Sequence, residues 1–376
     1  LLKHCTSAIM TNEITTIGSE PQISATTSRR INSSLESLFS YPISTSSHHN
    51  DEYESLMHKL TSMSSIRNVS KYMIILIGLP AAGKSTVSEH LIKYLKETNT
   101  TSNIRCQMFN AGDVRRKEKT LEITQDETED IFDPKNSDRK EEFAKVAFNS
   151  ALDALSNDKC DIGIFDATNS TKQRRKYLFN ELRSFNHSIN SNCVISPIVM
   201  HITCSDKKFV RYNVHHKAFN ADYFDKQYES SIKDFARRLQ HYYTQFVPYT
   251  EDEFDHMHST CSYDNHHGIF YFHIANAGST ATTNIIKYSN TASYDTIKLI
   301  ATLNHFTTNY ATIFGKQYIS EVKSFTQFSK VMSSNHYNFS KALKELSRLK
   351  LLKSVINDNY FKKLPRFYEI NHILEE

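Results

Sequence analysis

The sequence predicts an α/β protein with a mainly parallel sheet, helices on both faces and a helical C-terminal extension. Short apolar runs alternate with amphipathic segments between residues 72 and 287, which is typical of parallel strands joined by helices. The apolar run at 72–78 leads directly into GLPAAGKS at 78–85, which matches the phosphate-binding pattern G-x-x-x-x-G-K-[ST]. A strand, a glycine-containing turn and a helix in this order indicate a fold of the P-loop NTPase type.

Individual elements follow from the spacing of apolar residues. Strands are expected at 72–78, 105–110, 160–166, 198–204 and 268–275. Helices are expected at 84–97, 138–156, 171–185, 206–218 and 226–246.

Three segments are predicted along the chain. Residues 1–70 are about one-third Ser and Thr, a composition typical of a disordered tail. Residues 71–287 form the predicted P-loop domain. Residues 288–376 form the helical extension, with helix-like stretches such as 340–356.

Composition and charge indicate which binding partners and which cellular location are expected. The formal net charge of +4 comes from mixed acids and bases without a basic stripe, so no nucleic-acid partner is expected. No run of 18 apolar residues occurs, so no membrane span is expected. The six cysteines lack CxxC spacing, which favours reduced thiols and a cytoplasmic location. Whether the chain forms a homo-oligomer stays open.

The phosphate loop, defined here as residues 78–86, predicts a site for a nucleoside triphosphate with Mg²⁺. Its glycines let backbone N–H groups turn towards a polyphosphate, and the following helix adds its positive end. Lys84 is expected to reach the β- and γ-phosphates, and the Ser85 hydroxyl to ligate Mg²⁺. The nucleotide-binding residues predicted here are Gly78, Leu79, Pro80, Ala81, Ala82, Gly83, Lys84, Ser85 and Thr86.

Asp166 follows the apolar run 162–165, where a strand-end carboxylate is expected to hold the metal or orient the acceptor hydroxyl. The alternative is a helix cap, a role that Ser170 or Thr171 fills better by position. Two arginine pairs, Arg115-Arg116 and Arg174-Arg175, also follow predicted strand ends. Either pair alone is more often a solvated basic face, but together they favour a phosphorylated acceptor.

Five blocks, in order, carry a specific resemblance: GLPAAGKS, FNAGDVRR, FDPKN, FDATNSTKQRR and KAFNADY. Together they resemble the kinase half of the 6-phosphofructo-2-kinase/fructose-2,6-bisphosphatase family over about residues 72–287. The resemblance implies transfer of the ATP γ-phosphate, with Mg²⁺, to the 2-hydroxyl of fructose 6-phosphate. The product, fructose 2,6-bisphosphate, regulates glycolysis.

The resemblance also implies roles for individual residues. Lys84 and Asp166 would be catalytic, Ser85 and Asp166 would hold the metal, and Asn169 would support the nucleotide. The implied sugar-phosphate contacts are Arg115, Arg116, Thr168, Arg174, Lys217 and Tyr242. Without the resemblance, Lys217 and Tyr242 would be interpreted as a surface lysine and a helix-face tyrosine.

Two departures from the family pattern lead to further expectations. Phe143 stands where the family has an arginine, and Arg139 or Lys140, three or four residues earlier, is hypothesised to replace that cation. No R-H-G-E segment of the bisphosphatase half is present, so no bisphosphatase activity is expected, as in some fungal members.

Two other functions are weighed against this one. A P-loop kinase of a nucleoside or RNA end would share the loop and the strand-end Asp, but not the FDATN and KxxxxDY blocks. A regulatory protein that binds ATP without turnover is disfavoured by the intact Lys84, Ser85 and Asp166.

Overall fold

The computed structural model describes residues 70–121, 137–188, 191, 193–224, 226–261, 268–288, 292–331 and 339–362. In these ranges one six-stranded sheet is formed. Its strands are β1 (Ser70–Ile77), β2 (Cys106–Asn110), β3 (Ile162–Asp166), β4 (Val194–Thr203), β5 (Ile269–Ala275) and β6 (Ile285–Lys287). The predicted disordered tail at 1–70 lies, except for Ser70, outside the described residues.

The strand order is β2-β3-β1-β4-β5-β6. The first five strands in this order are parallel, which confirms the predicted mainly parallel sheet. Strand β6 runs antiparallel to β5 at the edge and was not predicted, because three residues are too few to show a periodic pattern. In parallel strands the carboxyl ends meet at one edge, so Asn110 and Asp166 are placed side by side.

Strand β4 begins at Val194, four residues before the predicted start. Pro197 lies inside it and pairs with Met73 of β1, whereas pairing with β5 starts only at Ile198. One side of β4 therefore has no partner strand at Pro197, which is a position that tolerates proline.

The described residues include eleven α-helices. They are α1 (Lys84–Glu97), α2 (Ala111–Leu121), α3 (Ser137–Ser156), α4 (Lys172–His187), α5 (Lys207–Lys217), α6 (Tyr228–Gln245), α7 (Glu251–Cys261), α8 (Tyr294–Thr308), α9 (Lys316–Val331), α10 (Phe339–Val355) and α11 (Asp358–Lys362). All five helices predicted before residue 287 are confirmed. Helices α2 and α7 were missed because both are short and rich in charged or polar residues.

The two faces of the sheet bury separate apolar layers. Met73 and Ile75 of β1 pack in one layer with Phe148 of α3 and Leu178 of α4. The alternate residues of β1, such as Ile74, pack in the other layer with α1 and α8. Because successive strand residues point to opposite faces, the unbroken apolar run of β1 is what a sheet covered on both sides requires.

The helices after residue 288 pack directly on this core. Leu299 and Leu303 of α8 are fully buried in the layer around α1. Val322 of α9 and Leu352 of α10 join the layer on the other face. The predicted boundary at 287/288 stays a prediction. No helix in the described ranges combines the length and apolar character that crossing a membrane requires.

Candidate functional site

A cavity of about 910 Å³ lies at the carboxyl edge of the parallel strands, between the phosphate loop and helices α2 to α6. Most of the predicted site residues line it: Pro80, Ala81, Gly83, Lys84, Ser85, Thr86, Arg115, Arg116, Asp166, Thr168, Asn169, Arg174, Lys217 and Tyr242. Gly78, Leu79 and Ala82 belong to the phosphate loop but do not line the cavity. The topology therefore brings residues that are up to about 160 positions apart in the sequence into one concave site.

Two glycines give the phosphate loop its path. A Cβ on Gly78 would lie 2.2 Å from the carbonyl oxygen of Ile202, so any larger residue would push the loop off β4. The Gly78 N–H donates to the Thr168 carbonyl at 3.2 Å, which ties the loop to the segment after β3. Gly83 precedes α1 with φ 98°, a left-handed conformation that favours glycine. The sequence pattern therefore reports a real backbone constraint.

The Lys84 amine is held inside the phosphate loop. Its Nζ donates to the carbonyl oxygens of Gly78 at 2.9 Å and Leu79 at 3.0 Å. The pKa of Lys84 is lowered to about 8, mainly by burial; the Asp166 carboxylate opposes this shift and the nearby Lys217 amine adds to it. A buried cation at the start of α1 gives the loop a positive centre for an anion.

Asp166 is the buried anion of the site, only 4% exposed. Its Oδ2 accepts hydrogen bonds from Ser85 Oγ and from Asn110 Nδ2, both at 2.6 Å. The register that pairs Asn110 with Asp166 brings the two side chains together. Asn110 was missed from the sequence, although its position at the end of β2 was a usable signal.

The donor set around Asp166 fits Mg²⁺. The Ser85 hydroxyl and the Asp166 carboxylate supply hard oxygen atoms, and the two groups are already in contact. Mg²⁺ in nucleotide sites is typically held by one or two such groups together with phosphate oxygens. Ser85 and Asp166 are therefore the residues that would hold the metal.

Three arginines surround the carboxylate of Asp222, which also lines the cavity. Arg115 Nη2 donates to both carboxylate oxygens at 2.8 Å. Arg116 and Arg238 approach the same group at 3.7 and 3.8 Å. Burial raises the pKa of Asp222, but the guanidinium groups, Arg115 foremost, outweigh burial and lower it. Arg238 was missed because an arginine on α6 has no local motif that marks it.

The second arginine pair divides between two roles. Arg174 lines the cavity and is paired with Glu141 of α3. Arg175 is fully buried, and its guanidinium donates to Glu253 at 2.7 and 2.6 Å and to the Asn169 carbonyl at 3.1 Å. Of this pair, only Arg174 was predicted to contact the sugar phosphate; Arg175 belongs to the core and does not line the cavity. Consecutive residues point about 100° apart around a helix, and α4 is rotated so that Arg174 faces the cavity while Arg175 faces the core.

Asn169 fixes the segment after β3. It is 2% exposed, has φ 48°, and donates from Nδ2 to the Leu76 carbonyl at 2.6 Å. Its side-chain oxygen is buried and has no hydrogen-bond partner. Its predicted contribution to nucleotide binding stays a prediction.

The other predicted contacts lie on α5, α6 and α3. Burial lowers the pKa of Lys217, while Asp166 and Asp222 raise it, so its amine belongs to the same charge cluster. Of the two hypothesised replacement cations, Lys140 lines the cavity. Arg139 is instead paired with Glu118 at 3.7 Å and stacks 5.9 Å from the Phe143 ring. The geometry thus favours Lys140.

A sequence model of the family described as 6-phosphofructo-2-kinase matches residues 59–296, which is more than half of the chain. The chain belongs to this family. The matched segment contains the phosphate loop, Asp166 and all the arginines of the cavity. Helix α9, which also contributes to the cavity wall, lies beyond the 6-phosphofructo-2-kinase segment.

Curated relatives agree with this membership. The chain is 34% identical over 187 residues to 6-phosphofructo-2-kinase 1 of Saccharomyces cerevisiae, covering 49% of this chain and 21% of that protein. It is 30% identical over 188 residues to a probable 6-phosphofructo-2-kinase of Schizosaccharomyces pombe, covering 49% and 26%. It is 30% identical over 187 residues to a 6-phosphofructo-2-kinase/fructose-2,6-bisphosphatase of Caenorhabditis elegans, covering 48% and 38%. The matched segment spans about a fifth to two-fifths of these relatives.

Among solved structures, that of a fungal RNA kinase is similar at 13% identity with a TM-score of 0.32, covering 67% of this chain and 94% of that chain. A likeness this distant carries no information on the substrate.

Proposed function

We propose that the chain is an ATP-dependent 6-phosphofructo-2-kinase that transfers the γ-phosphoryl group to the 2-hydroxyl of fructose 6-phosphate. One observation carries the proposal beyond family membership. The arginines around Asp222 share a single cavity with Lys84, Ser85 and Asp166. A site for a polyphosphate and a site for a second, singly phosphorylated ligand would thus lie in the same cavity, as phosphoryl transfer to a sugar phosphate requires.

On the nucleotide side, the chain supplies charge and shape. The start of α1 presents its positive end, and Lys84 has only to exchange the Gly78 and Leu79 carbonyls for phosphate oxygens. Ser85 and Asp166 would hold Mg²⁺ and keep it beside the loop. When bound, that ion supplies neutralisation of the charge on the β- and γ-phosphate oxygens.

On the acceptor side, Arg115, Arg174 and Arg238 bind the 6-phosphate in exchange for their present carboxylate partners, Asp222 and Glu141. Because each guanidinium is already held at the cavity beside a carboxylate, less side-chain freedom is lost when the phosphate binds. Lys217 and Tyr242 bind the sugar and place its 2-hydroxyl near Asp166. Positioning and electrostatic stabilisation then supply most of the rate acceleration, since phosphoryl transfer proceeds through a loose transition state.

The proposal extends to location and to the second activity of some relatives. A cytoplasmic location is supported by the free thiols of Cys106, Cys160, Cys193 and Cys204. The lack of bisphosphatase activity in this 376-residue chain stays a prediction from the missing R-H-G-E segment.

The test is ADP release by the purified chain with Mg²⁺-ATP and a panel of acceptors: fructose 6-phosphate, glucose 6-phosphate, a nucleoside and a 5′-hydroxyl RNA. We expect ADP to be released when the acceptor is fructose 6-phosphate and not with the other three acceptors. The Lys84→Ala variant should release no ADP with any acceptor. Release with the nucleoside or RNA instead, or equal rates in Lys84→Ala, would refute the proposal. Binding of ATP without release in any mixture would support the regulatory alternative.

A further inference from the structure

Helix α9, beyond the segment matched by the family, is connected to the phosphate loop by two hydrogen bonds. The Tyr318 hydroxyl donates to Asn213 Oδ1 at 2.5 Å, and Asn213 Nδ2 donates to the Ala81 carbonyl at 2.6 Å. Tyr318 belongs to α9, Asn213 to α5 and Ala81 to the loop. The Tyr318–Asn213–Ala81 connection is therefore a continuous path from the C-terminal helices to the nucleotide site.

The loop needs such support at Ala81. Its φ of 62° lies in the left-handed region, which disfavours a residue with a Cβ and persists only where the surroundings hold it. The peptide group is planar, so fixing the Ala81 carbonyl also fixes the direction of the Ala82 N–H. That N–H donates to the Leu79 carbonyl at 3.2 Å, within the turn whose carbonyls hold Lys84. Asn213 thus controls the shape of the turn that binds the lysine.

Tyr318 is itself held firmly. Its ring packs against Phe209 and, edge-on, against Tyr212, with ring centres 5.6 and 5.4 Å apart. Burial raises the pKa of its hydroxyl, which therefore stays protonated and able to donate. The π-helical turn Ala311–Gly315 before α9 approaches the backbone of Ala277 closely, since a Cβ on Gly315 would lie 2.7 Å from the Ala277 carbonyl oxygen. Movement of Tyr318 away from Asn213 would disrupt this packing.

We propose that Tyr318 and Asn213 are positioning residues that preform the phosphate loop for the triphosphate. They act through Ala81. The inference rests on the proposed function only in taking ATP as the ligand of the loop. It makes α9 part of the working nucleotide site and not merely a cover on the core.

The test compares Tyr318→Phe, Asn213→Ala and the double variant. Tyr318→Phe keeps the ring and removes only the hydroxyl. We expect the Kd for Mg²⁺-ATP, measured by calorimetry without acceptor, to rise about three- to tenfold, the usual range for one net hydrogen bond. The KM for ATP should rise equally, with the KM for fructose 6-phosphate unchanged. Because the residues form one connection, the double variant should be no worse than Asn213→Ala.

Tyr72→Phe is the matched control. It removes the hydroxyl of a buried tyrosine, 2.8 Å from Thr296 Oγ1 of α8, at the end of β1 away from the loop. This variant should lower Tm without changing the Kd for ATP. A Tyr318→Phe protein that loses Tm but keeps the wild-type Kd would overturn the proposal, as would strictly additive effects in the double variant.

The outcomes also separate this inference from the proposed function. A chain that binds ATP but phosphorylates no sugar phosphate would refute the function, while the Kd values would still decide the inference. Normal transfer with an unchanged Kd in Tyr318→Phe would refute the inference alone. A wild-type chain that binds no ATP would refute both.

Discussion

Ser85 donates a hydrogen bond to Asp166 at 2.6 Å, which joins the first turn of α1 to the end of β3. Replacing Asp166 with Asn keeps the size and removes the charge. We expect kcat/KM to fall by about 100-fold or more, because charge stabilisation at the transferring group is lost. The Mg²⁺ concentration needed for half-maximal rate should also rise. Asp153→Asn, on the exposed face of α3, serves as the control and should leave both quantities unchanged.

The lowered pKa of Lys84 predicts a pH dependence with a definite sign. The amine loses its proton as pH rises through about 8, so the free protein should then lose affinity for ATP. We expect kcat/KM for ATP to fall above pH 8, while kcat stays flatter because bound phosphates favour the charged amine. In Lys84→Arg the fall should be absent, since arginine stays protonated. A flat wild-type profile between pH 7 and 9.5 would contradict the assignment.

Arg238 is expected to bind the acceptor and not the nucleotide. Arg238→Ala should raise the KM for fructose 6-phosphate by about 10- to 100-fold, the range for a hydrogen bond to a charged group. The Kd for ATP should change little, because the guanidinium lies beside Asp222 and not beside the loop. Equal effects on both ligands would show that Arg238 supports the fold instead.

Two variants test the hypothesis that Lys140 or Arg139 replaces the family arginine that is missing at Phe143. Lys140→Ala should raise the KM for fructose 6-phosphate about two- to fivefold, the small effect of a partly exposed charge. Arg139→Ala should leave that KM unchanged, because Arg139 pairs with Glu118. The opposite ranking would return the role to Arg139.

Much of the site was predictable because its chemistry lies in contiguous motifs. The phosphate loop and Asp166 each follow an apolar strand. The spacing of the glycines within the loop reflects the backbone geometry that the turn requires. Arg238, Asn213 and Tyr318 carry no such signal, because only the packing of α5, α6 and α9 brings them to the cavity. The roles of Arg174 and Arg175 could not be assigned from the pair alone, since the direction of each side chain depends on how α4 is rotated against the core.

The parallel sheet was predictable because apolar runs alternate with amphipathic helical segments along the chain. Strand β6 and the first residues of β4 were not predictable in this way. Strand β6 is held by its pairing with β5, so its existence depends on tertiary contacts and not on local sequence. Proline is normally disfavoured inside a strand, but Pro197 is tolerated because β5 does not pair with β4 at this position.

Two buried histidines should make stability depend on pH. His201 and His273 stack with ring centres 4.8 Å apart; burial lowers the pKa of His273 to about 4 and that of His201 well below normal. In the unfolded chain both would titrate near 6.5. Their neutral forms therefore contribute full stability above pH 6.5, and this stability is lost as pH falls towards 4. Each histidine should lower the free energy of unfolding by about 1 kcal/mol at pH 5.5 relative to pH 7.5. In the double variant His201→Gln with His273→Gln, the free energy of unfolding measured in urea should fall less between pH 7.5 and pH 5.5 than it does in the wild type.

The central claim is that this cavity moves a phosphoryl group from ATP to the 2-hydroxyl of fructose 6-phosphate. The most direct measurement is ³¹P NMR of the reaction mixture. It should show one new phosphate ester for each ADP formed, and this ester should be cleaved by mild acid to return fructose 6-phosphate. An acid-stable ester, or ADP accompanied only by inorganic phosphate, would contradict the account.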